Sequence, residues 1–362
     1  MAARIVLFGA TGYTGELTAR ALVARGARPL LVARSRERVQ ALAAELGGLD
    51  NAVADVARPR SIAKLVDAQD VLVTTVGPFA RYGVPAVRAA ISSGAHYIDS
   101  TGEPSFIRDV FERYGPEASS AGSGLLTAMG YDYVPGNLAA GLSLRDAGER
   151  AVRVDVGYFA SASTAGQISG GTRASAAGMF TEPVHGFHKG KIVTERAARH
   201  VKEFEGRAAI SIGATEQFAL PRSFPDLREV GVYLGWFGPA SRPLQVASAA
   251  TELVTKLPFV RDAIGLASSK LVKGSSGGPD AQTRAKARSR IVAVASDRDG
   301  LKLSTVELRG ASPYDFTGAM LAWSAMRIAA GGLQGTGALG PVDAFGLDEL
   351  EAGVRDAEIA RA

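Results

Sequence analysis

The chain has 362 residues, 46% of them hydrophobic, and a formal charge of +5, enough for about two domains with cores of their own. Acidic and basic residues interleave through the first third, so the clustered Lys/Arg stripe of a nucleic-acid footprint is missing and no nucleic-acid partner is expected. With no cysteine, disulfides, thiolate nucleophiles and cysteine-held metals are excluded.

Met1-Ala2-Ala3-Arg4 leads straight into an apolar run without a charged leader, which reads as a cytoplasmic protein. Residues 4–8 form the first predicted strand and 16–24 the first helix. Between them lies Gly9-Ala10-Thr11-Gly12-Tyr13-Thr14-Gly15, three glycines at three-residue spacing. Such a turn lets the backbone approach an anion while the helix N-terminus faces it, although Ala10 stands where the second glycine of G-x-G-x-x-G would be. A second strand, 29–33, ends in Arg34-Ser35-Arg36, where a dinucleotide ribose would lie. Arginine there pairs with a 2′-phosphate, so NADP is favoured over NAD.

A third strand at 52–54 leads to Asp55 and Val56, placed to bracket an adenine, and a helix follows at 59–66. The β-branched run 71–75 reads as a strand buried on both faces of a parallel sheet. Val76, Gly77 and Pro78 follow it and should face the cofactor, because ligands in doubly wound sheets lie beyond the carboxyl ends of the strands. A helix at 85–92 precedes the fifth strand, 96–100, and then Thr101-Gly102-Glu103. Asp99 and Glu103 either orient ribose or nicotinamide or serve only as a salt bridge or cap. A helix at 105–114 and a sixth strand at 124–128 complete an alternation that signifies a parallel α/β domain. Asn137 is expected to cap the next helix, which runs through 144.

From 152 the pattern changes to half-buried strands at 152–158, 208–212, 230–237, 289–295 and 302–308, the last two joined by the hairpin signal Asp297-Arg298-Asp299-Gly300. Helices are expected near Gly171-Thr172 and twice within 243–272, giving a second α+β domain with a mostly antiparallel sheet. The 243–272 stretch is no membrane span, because Glu252, Lys256, Arg261, Asp262 and Lys270 interrupt it and Pro258 breaks it. Its helices either pack in a core or dimer, or cover a lipophilic pocket or rest on a lipid or acyl-carrier surface, with Arg284, Lys286, Arg288 and Arg290 attracting the carrier's acidic groups. Gly170-Gly171-Thr172 reads as a second anion seat or simply a capped helix. His185 and His188, beside Lys189 in a loop-like segment, have no matching carboxylate motif and read as surface histidines, so no metal is expected. A long helix at 316–330, a glycine-rich link at 331–340 and a terminal helix should pack back on the first domain. The expected division is 1–137 joined by 315–362, with 138–314 as a substrate and dimerisation domain.

Hydride transfer needs the nicotinamide held against an electrophilic double bond and a proton supplied to the product. Tyr131, Asp132 and Tyr133 follow the sixth strand at the expected carboxyl edge of the sheet, where a tyrosine hydroxyl could donate that proton or the trio could merely shape the domain junction.

The motifs Gly9-Ala10-Thr11-Gly12-Tyr13-Thr14-Gly15, Gly77-Pro78-Phe79-x-x-Tyr82-Gly83-x-Pro85 and Tyr97-x-Asp99-x-Thr101-Gly102-Glu103 together resemble the saccharopine dehydrogenase-like oxidoreductases. Gly278-Pro279-Asp280 with Arg284, and Tyr314-x-x-Thr317, are similar to the branch holding the trans-acting enoyl reductases that serve polyketide synthases in secondary metabolism. The resemblance implies a Rossmann domain, NADP and a reductase, with Tyr82 added to the cofactor-facing residues. The leading expectation is reduction of a C=C or C=N bond of an apolar or polyketide-like substrate, small or carrier-bound. The alternatives are oxidation of an amino-acid-derived secondary amine and an NADP-binding sensor or scaffold without turnover; a homodimer is a further expectation.

Overall fold

The computed structural model describes residues 3–160, 183–254 and 277–362; the Gly170-Gly171-Thr172 turn and the 243–272 stretch beyond residue 254 lie outside the described residues. The chain divides into two compact units. One comprises Met1–Thr101, Phe106–Val134 and Pro313–Glu358, the other Gly102–Ser105, Pro135–Ser312 and Ile359–Ala362.

The strands of the first unit are β1 (Ile5–Phe8), β2 (Leu30–Ala33), β3 (Asn51–Val53), β4 (Val71–Thr74), β5 (His96–Asp99) and β6 (Gly124–Leu126). The second unit contributes β7 (Arg153–Ala160), β8 (Val184–His188), β9 (Lys191–Glu195), β10 (Val201–Phe204), β11 (Arg207–Ser211), β12 (Glu229–Leu234), β13 (Ser289–Ser296) and β14 (Lys302–Gly310). Two short strands close the chain, β15 (Gly337–Ala338) and β16 (Ile359–Arg361).

In the first unit seven strands pair in the order β15-β6-β5-β4-β1-β2-β3, all parallel. This is the doubly wound arrangement, with the strand order reversing between β1 and β4. β1, β4 and β5 are buried along their whole length, as strands covered on both faces must be. Helices α1 (Tyr13–Ala24) and α2 (Arg36–Glu45) follow β1 and β2. The late helix Pro313–Ala329 packs on α1 at very short range, because Gly318 has no side chain: a Cβ there would stand 3.0 Å from Leu17 Cβ and 3.1 Å from its carbonyl carbon. At its other end Trp323 meets Phe345 edge-on, ring centres 4.9 Å apart, and Gly353 lets the helix Leu347–Asp356 close over the indole.

The second unit is built on a mixed sheet, β10-β11-β12-β7-β13-β14-β16, with β8 pairing to β12 and β9 to β8. Only β12 and β7 run parallel among the described pairs; the rest are antiparallel. Phe159, Phe204, Tyr233, Ala209 and Val292 form a buried aromatic cluster on it. The expected fold class, a Rossmann-type sheet with a mostly antiparallel α+β partner, is the one observed.

Several local expectations are corrected. Asn137 does not cap a helix; the helix begins earlier, Val134–Ala147, and Asn137 lies within it, donating from Nδ2 to Thr215 Oγ1 at 2.9 Å. His185 and His188 sit on β8 instead of a loop, and His185 is a core residue, its ring 1% exposed, with Nε2 2.8 Å from the Ala214 carbonyl. Among the described residues no helix is long and apolar enough to cross a membrane.

Gly318→Val would force α1 and the late helix apart. We expect a loss of about 1–3 kcal/mol, the usual cost of overpacking, read as a lower midpoint of thermal or urea unfolding; an unchanged midpoint would show that this approach is not tight.

Candidate active site

Because every strand of the first sheet is parallel, all carboxyl ends open on one edge, and most of the residues singled out from sequence arrive there. The glycine turn leaves β1. Gly9 has φ +91°, a conformation glycine adopts without cost, and its N–H donates to the Val32 carbonyl at 2.8 Å. Its own carbonyl accepts from Gly12 N–H at 2.9 Å and Thr75 Oγ1 at 3.2 Å. Gly15 lies directly over that carbonyl, where a Cβ would be 2.1 Å from the oxygen. α1 then starts with Gly12 in extended conformation as its N-cap and no side chain capping it, so the first-turn N–H groups present no competing side-chain oxygen to an incoming anion. Thr11, Tyr13 and Thr14 are half-buried around the turn. This turn fits a pyrophosphate.

The end of β2 divides its arginines. Arg38 Nη2 donates to the Thr11 carbonyl at 2.7 Å and clamps α2 to the glycine turn, while Ser35 caps α2 by accepting from Arg38 N–H. Arg34 and Arg36 are exposed and, among the described residues, engage no hydrogen bond or ion pair. They leave two unengaged guanidinium groups just beyond the end of β2. Asp55, after β3, accepts from Ala57 N–H at 2.9 Å, and Val56 beside it is half-buried. After β4, Val76 N–H donates to Thr74 Oγ1, Gly77-Pro78 is a cis peptide, and Tyr82 carries the Arg81 guanidinium 5.0 Å over its ring.

Two carboxyls mark the ends of β5 and β6. Asp99 is buried and fully engaged: it accepts from Thr101 N–H (2.8 Å), Ala128 N–H (2.9 Å) and Thr127 Oγ1 (2.8 Å), tying the two strand ends together. Burial outweighs those donors and pushes its carboxyl up to about 6. Thr101 is buried with it, whereas Gly102 and Glu103 belong to the second unit.

Beyond β6, Tyr131 and Tyr133 are 2% and 1% exposed. Tyr131 packs edge-on against Phe316 and its N–H donates to Thr317 Oγ1 at 3.0 Å. Asp132, between them, keeps part of its surface exposed, yet lost hydration lifts its carboxyl to about 6 as well. Tyr314 meets Tyr13 of the glycine turn edge-on at 5.2 Å, and a Cβ on Gly130 would strike Thr317 at 2.8 Å. The motif Tyr314-x-x-Thr317 thus buttresses the cofactor turn and the loop after β6, a role its spacing alone did not disclose.

Residues 5–126 match the saccharopine dehydrogenase NADP binding domain family. The match runs from β1 through β6 of the first unit's sheet. Over 140 residues the chain is 39% identical to a trans-acting enoyl reductase of Mycobacterium ulcerans, and over 142 residues 39% identical to one of Mycobacterium bovis. Each match covers 37% of this chain and 34% of the relative, so it spans about a third of the relatives' length. Apo saccharopine dehydrogenase (L-Glu forming) from Saccharomyces cerevisiae has the same fold, with a TM-score of 0.58 and 15% identity over 99% of both chains. The expected cofactor, NADP, is therefore the one this domain type binds.

The second unit holds polar groups that sequence patterning did not single out. Tyr158 hydroxyl donates to Glu216 Oε1 at 2.6 Å, and Thr215 joins them, all buried; Gly136 makes room for the phenol. Phe159, Arg207, Arg288, Arg290 and Arg309 line a cavity of about 580 Å³ on the same unit. The Asp280 motif is a helix cap, its carboxylate accepting from Thr283 N–H at 2.8 Å.

Arg34→Ala and Arg36→Ala should each weaken NADPH binding about tenfold or more while leaving NADH nearly unchanged, since a charge-assisted phosphate contact is lost; titration of both cofactors by fluorescence or calorimetry measures it, and equal losses for both would refute the assignment. Asp99 binds its proton more tightly folded than unfolded, where its carboxyl titrates near 3.8. Its contribution to stability therefore falls as pH rises from about 4 to about 6 and is level above, by at most about 3 kcal/mol. Asp132 adds a slope of the same sign, so Asp99→Asn should remove roughly half of the decline across that window in denaturant titrations.

Proposed function

We propose that the protein is an NADPH-dependent reductase that delivers hydride to the C=C bond of an apolar acyl chain presented on a carrier. The observation that carries the reading is the glycine turn whose helix N-terminus no side chain caps, with Arg34 and Arg36 unengaged at the neighbouring strand end, within the stretch that matches an NADP-binding domain. Bound NADPH supplies the hydride. The chain's own contribution is to seat the pyrophosphate at the start of α1, to hold the 2′-phosphate with Arg34 and Arg36, and to keep a proton at hand.

For that proton Asp132 is the best suited member of the trio after β6. Tyr131 and Tyr133 are enclosed, and their rings stiffen the loop. Asp132 reaches the surface and, with its carboxyl lifted to about 6, holds a proton about a tenth of the time at pH 7, roughly a hundredfold more than an ordinary aspartate. An acid of that strength matches the pH at which it must donate to an enolate.

An enoyl thioester is favoured over an imine by the likeness to trans-acting enoyl reductases, and a carrier by the arginine-lined cavity of the second unit. There Arg290 is held by Glu307 (2.8 and 2.9 Å) and by Glu205, and Arg207 lies over the Phe159 ring, 6.0 Å from its centre. Such a surface suits the phosphate of a phosphopantetheine arm or the acidic face of a carrier.

Asp132→Asn should lower kcat about a hundredfold without changing NADPH affinity, whereas Tyr131→Phe should leave kcat within a few fold. The unmodified protein's kcat should fall as pH rises through about 6, as the carboxyl loses its proton. The measurement is NADPH consumption with enoyl thioesters. NADPH binding without turnover of any enone, imine or keto acid would instead favour a cofactor-binding sensor.

A further inference from the structure

Two of the four histidines in the chain, His188 and His200, converge on one carboxylate in the second unit. One ligating atom each from His188, Glu195 and His200 lies within 4.8 Å of the others. The convergence has a local cause in the β8–β9 hairpin. Glu195 pairs across the hairpin with Val184, and His188 lies four residues farther along β8 on the same face. The position between them on that face is Gly186, where a Cβ would stand 2.6 Å from Glu195 Oε1 and 2.9 Å from His188 Nε2. Only an absent side chain lets the imidazole and the carboxylate meet there. His200 arrives from the turn before β10, its ring centre 6.0 Å from that of His188.

The bonding around the trio is incomplete in one direction. His188 Nδ1 lies 2.7 Å from Glu229 Oε2, and the other oxygen of that carboxylate accepts from Lys189 N–H at 3.1 Å. Glu229 thus accepts a hydrogen bond from Nδ1–H, and in that tautomer Nε2 carries a lone pair. That lone pair faces Glu195 Oε2 at 3.4 Å, and both atoms are buried without a hydrogen-bond partner. The Glu195 side chain is only 5% exposed, and Arg199 reaches it at a long 3.7 Å. Two acceptors turned toward each other in a buried place repel unless something positive sits between them. The carboxylate behind the outer nitrogen of a histidine is also the arrangement that orients metal-ligating imidazoles.

We propose that His188 Nε2, Glu195 and His200 bind a borderline divalent transition metal, Zn²⁺ in particular, with Glu229 as the residue that positions His188. An N₂O donor set with a remaining coordination position open to water suits Zn²⁺. Ligand atoms around tetrahedral zinc lie about 3.3–3.5 Å apart, given bonds of about 2.0–2.1 Å. His188 and Glu195 already stand at that separation; the exposed His200 closes the remainder by a side-chain rotation. The ion would tie the β8–β9 hairpin to the turn before β10, so its binding energy becomes stability of that region.

The test uses the full chain without a histidine tag, titrated with Co²⁺ as a spectroscopic probe and then with Zn²⁺. One equivalent of Co²⁺ should bind with the strong visible absorption of a four-coordinate site, Zn²⁺ should displace it, and the unfolding midpoint should rise with Zn²⁺. Glu195→Gln and His188→Ala should each weaken uptake by about tenfold or more, and Glu229→Gln by about tenfold, the usual loss when an orienting partner is removed. Gly186→Ala should weaken it too, although no ligand is altered. The metal-free unfolding midpoint should stay close to the parent's in at least the two Glu→Gln variants, which reports that the second unit folds without the metal. Absence of saturable one-to-one uptake, or uptake that survives Glu195→Gln and His188→Ala, overturns the proposal and leaves a protonated His188 shared between two carboxylates.

Discussion

The carbonyl of Gly9 is the atom on which the first unit turns. It is held by the amide of Gly12 and the hydroxyl of Thr75, and Gly15 passes over it at a distance no side chain tolerates. That single crossing fixes two things: α1 begins beside the ends of β1 and β4, and no side chain caps its N-terminus. The exposed end of the helix dipole and the space for an anion are therefore one feature. The same economy recurs at Gly318, where a second glycine lets the late helix reach α1 and carry Tyr314 and Thr317 to the loops around the cofactor edge.

Along that edge, similar residue types do different work according to what surrounds them. Of three arginines after β2, Arg38 is consumed in clamping Thr11, while Arg34 and Arg36 stay in solvent. Of two aspartates with carboxyls lifted to about 6, Asp99 is enclosed by donors from its own unit and serves the backbone. Asp132 has the same affinity for a proton and retains contact with solvent. A raised carboxyl is a sign of lost hydration; whether it is available for chemistry depends on whether its lone pairs are already spent.

The parts that sequence made legible are those where one strong local rule governs. β1 and β4 are short β-branched or apolar runs because both faces are covered, and the glycine spacing announces the turn. The missed parts lack such a rule. β15 is Gly337–Ala338, two residues without β propensity that pair only because β6 offers an open edge. β8, β9 and β10 carry histidine, lysine and glutamate at half-exposed positions, so alternation is blurred. His188 and Glu195 are close through hairpin register, which no linear spacing of histidine and carboxylate reveals. Asn137 resembles a cap by residue type, but tertiary contacts begin its helix at Val134 and turn the amide inward to Thr215.

The placement of the last strands has a consequence for how the protein is made. β15 lies at an edge of the first sheet and β16 at an edge of the second, paired to β14. The chain thus visits each unit more than once; the first sheet lacks a strand until Gly337–Ala338 is made and the second until Ile359–Arg361 is made. Vectorial synthesis cannot finish one unit before beginning the other, so each edge stays available for wrong pairing until its late strand emerges. A truncation that removes only the C-terminal residues would strip β16 from the second sheet while leaving the cofactor turn, at the opposite end of the sequence, fully encoded.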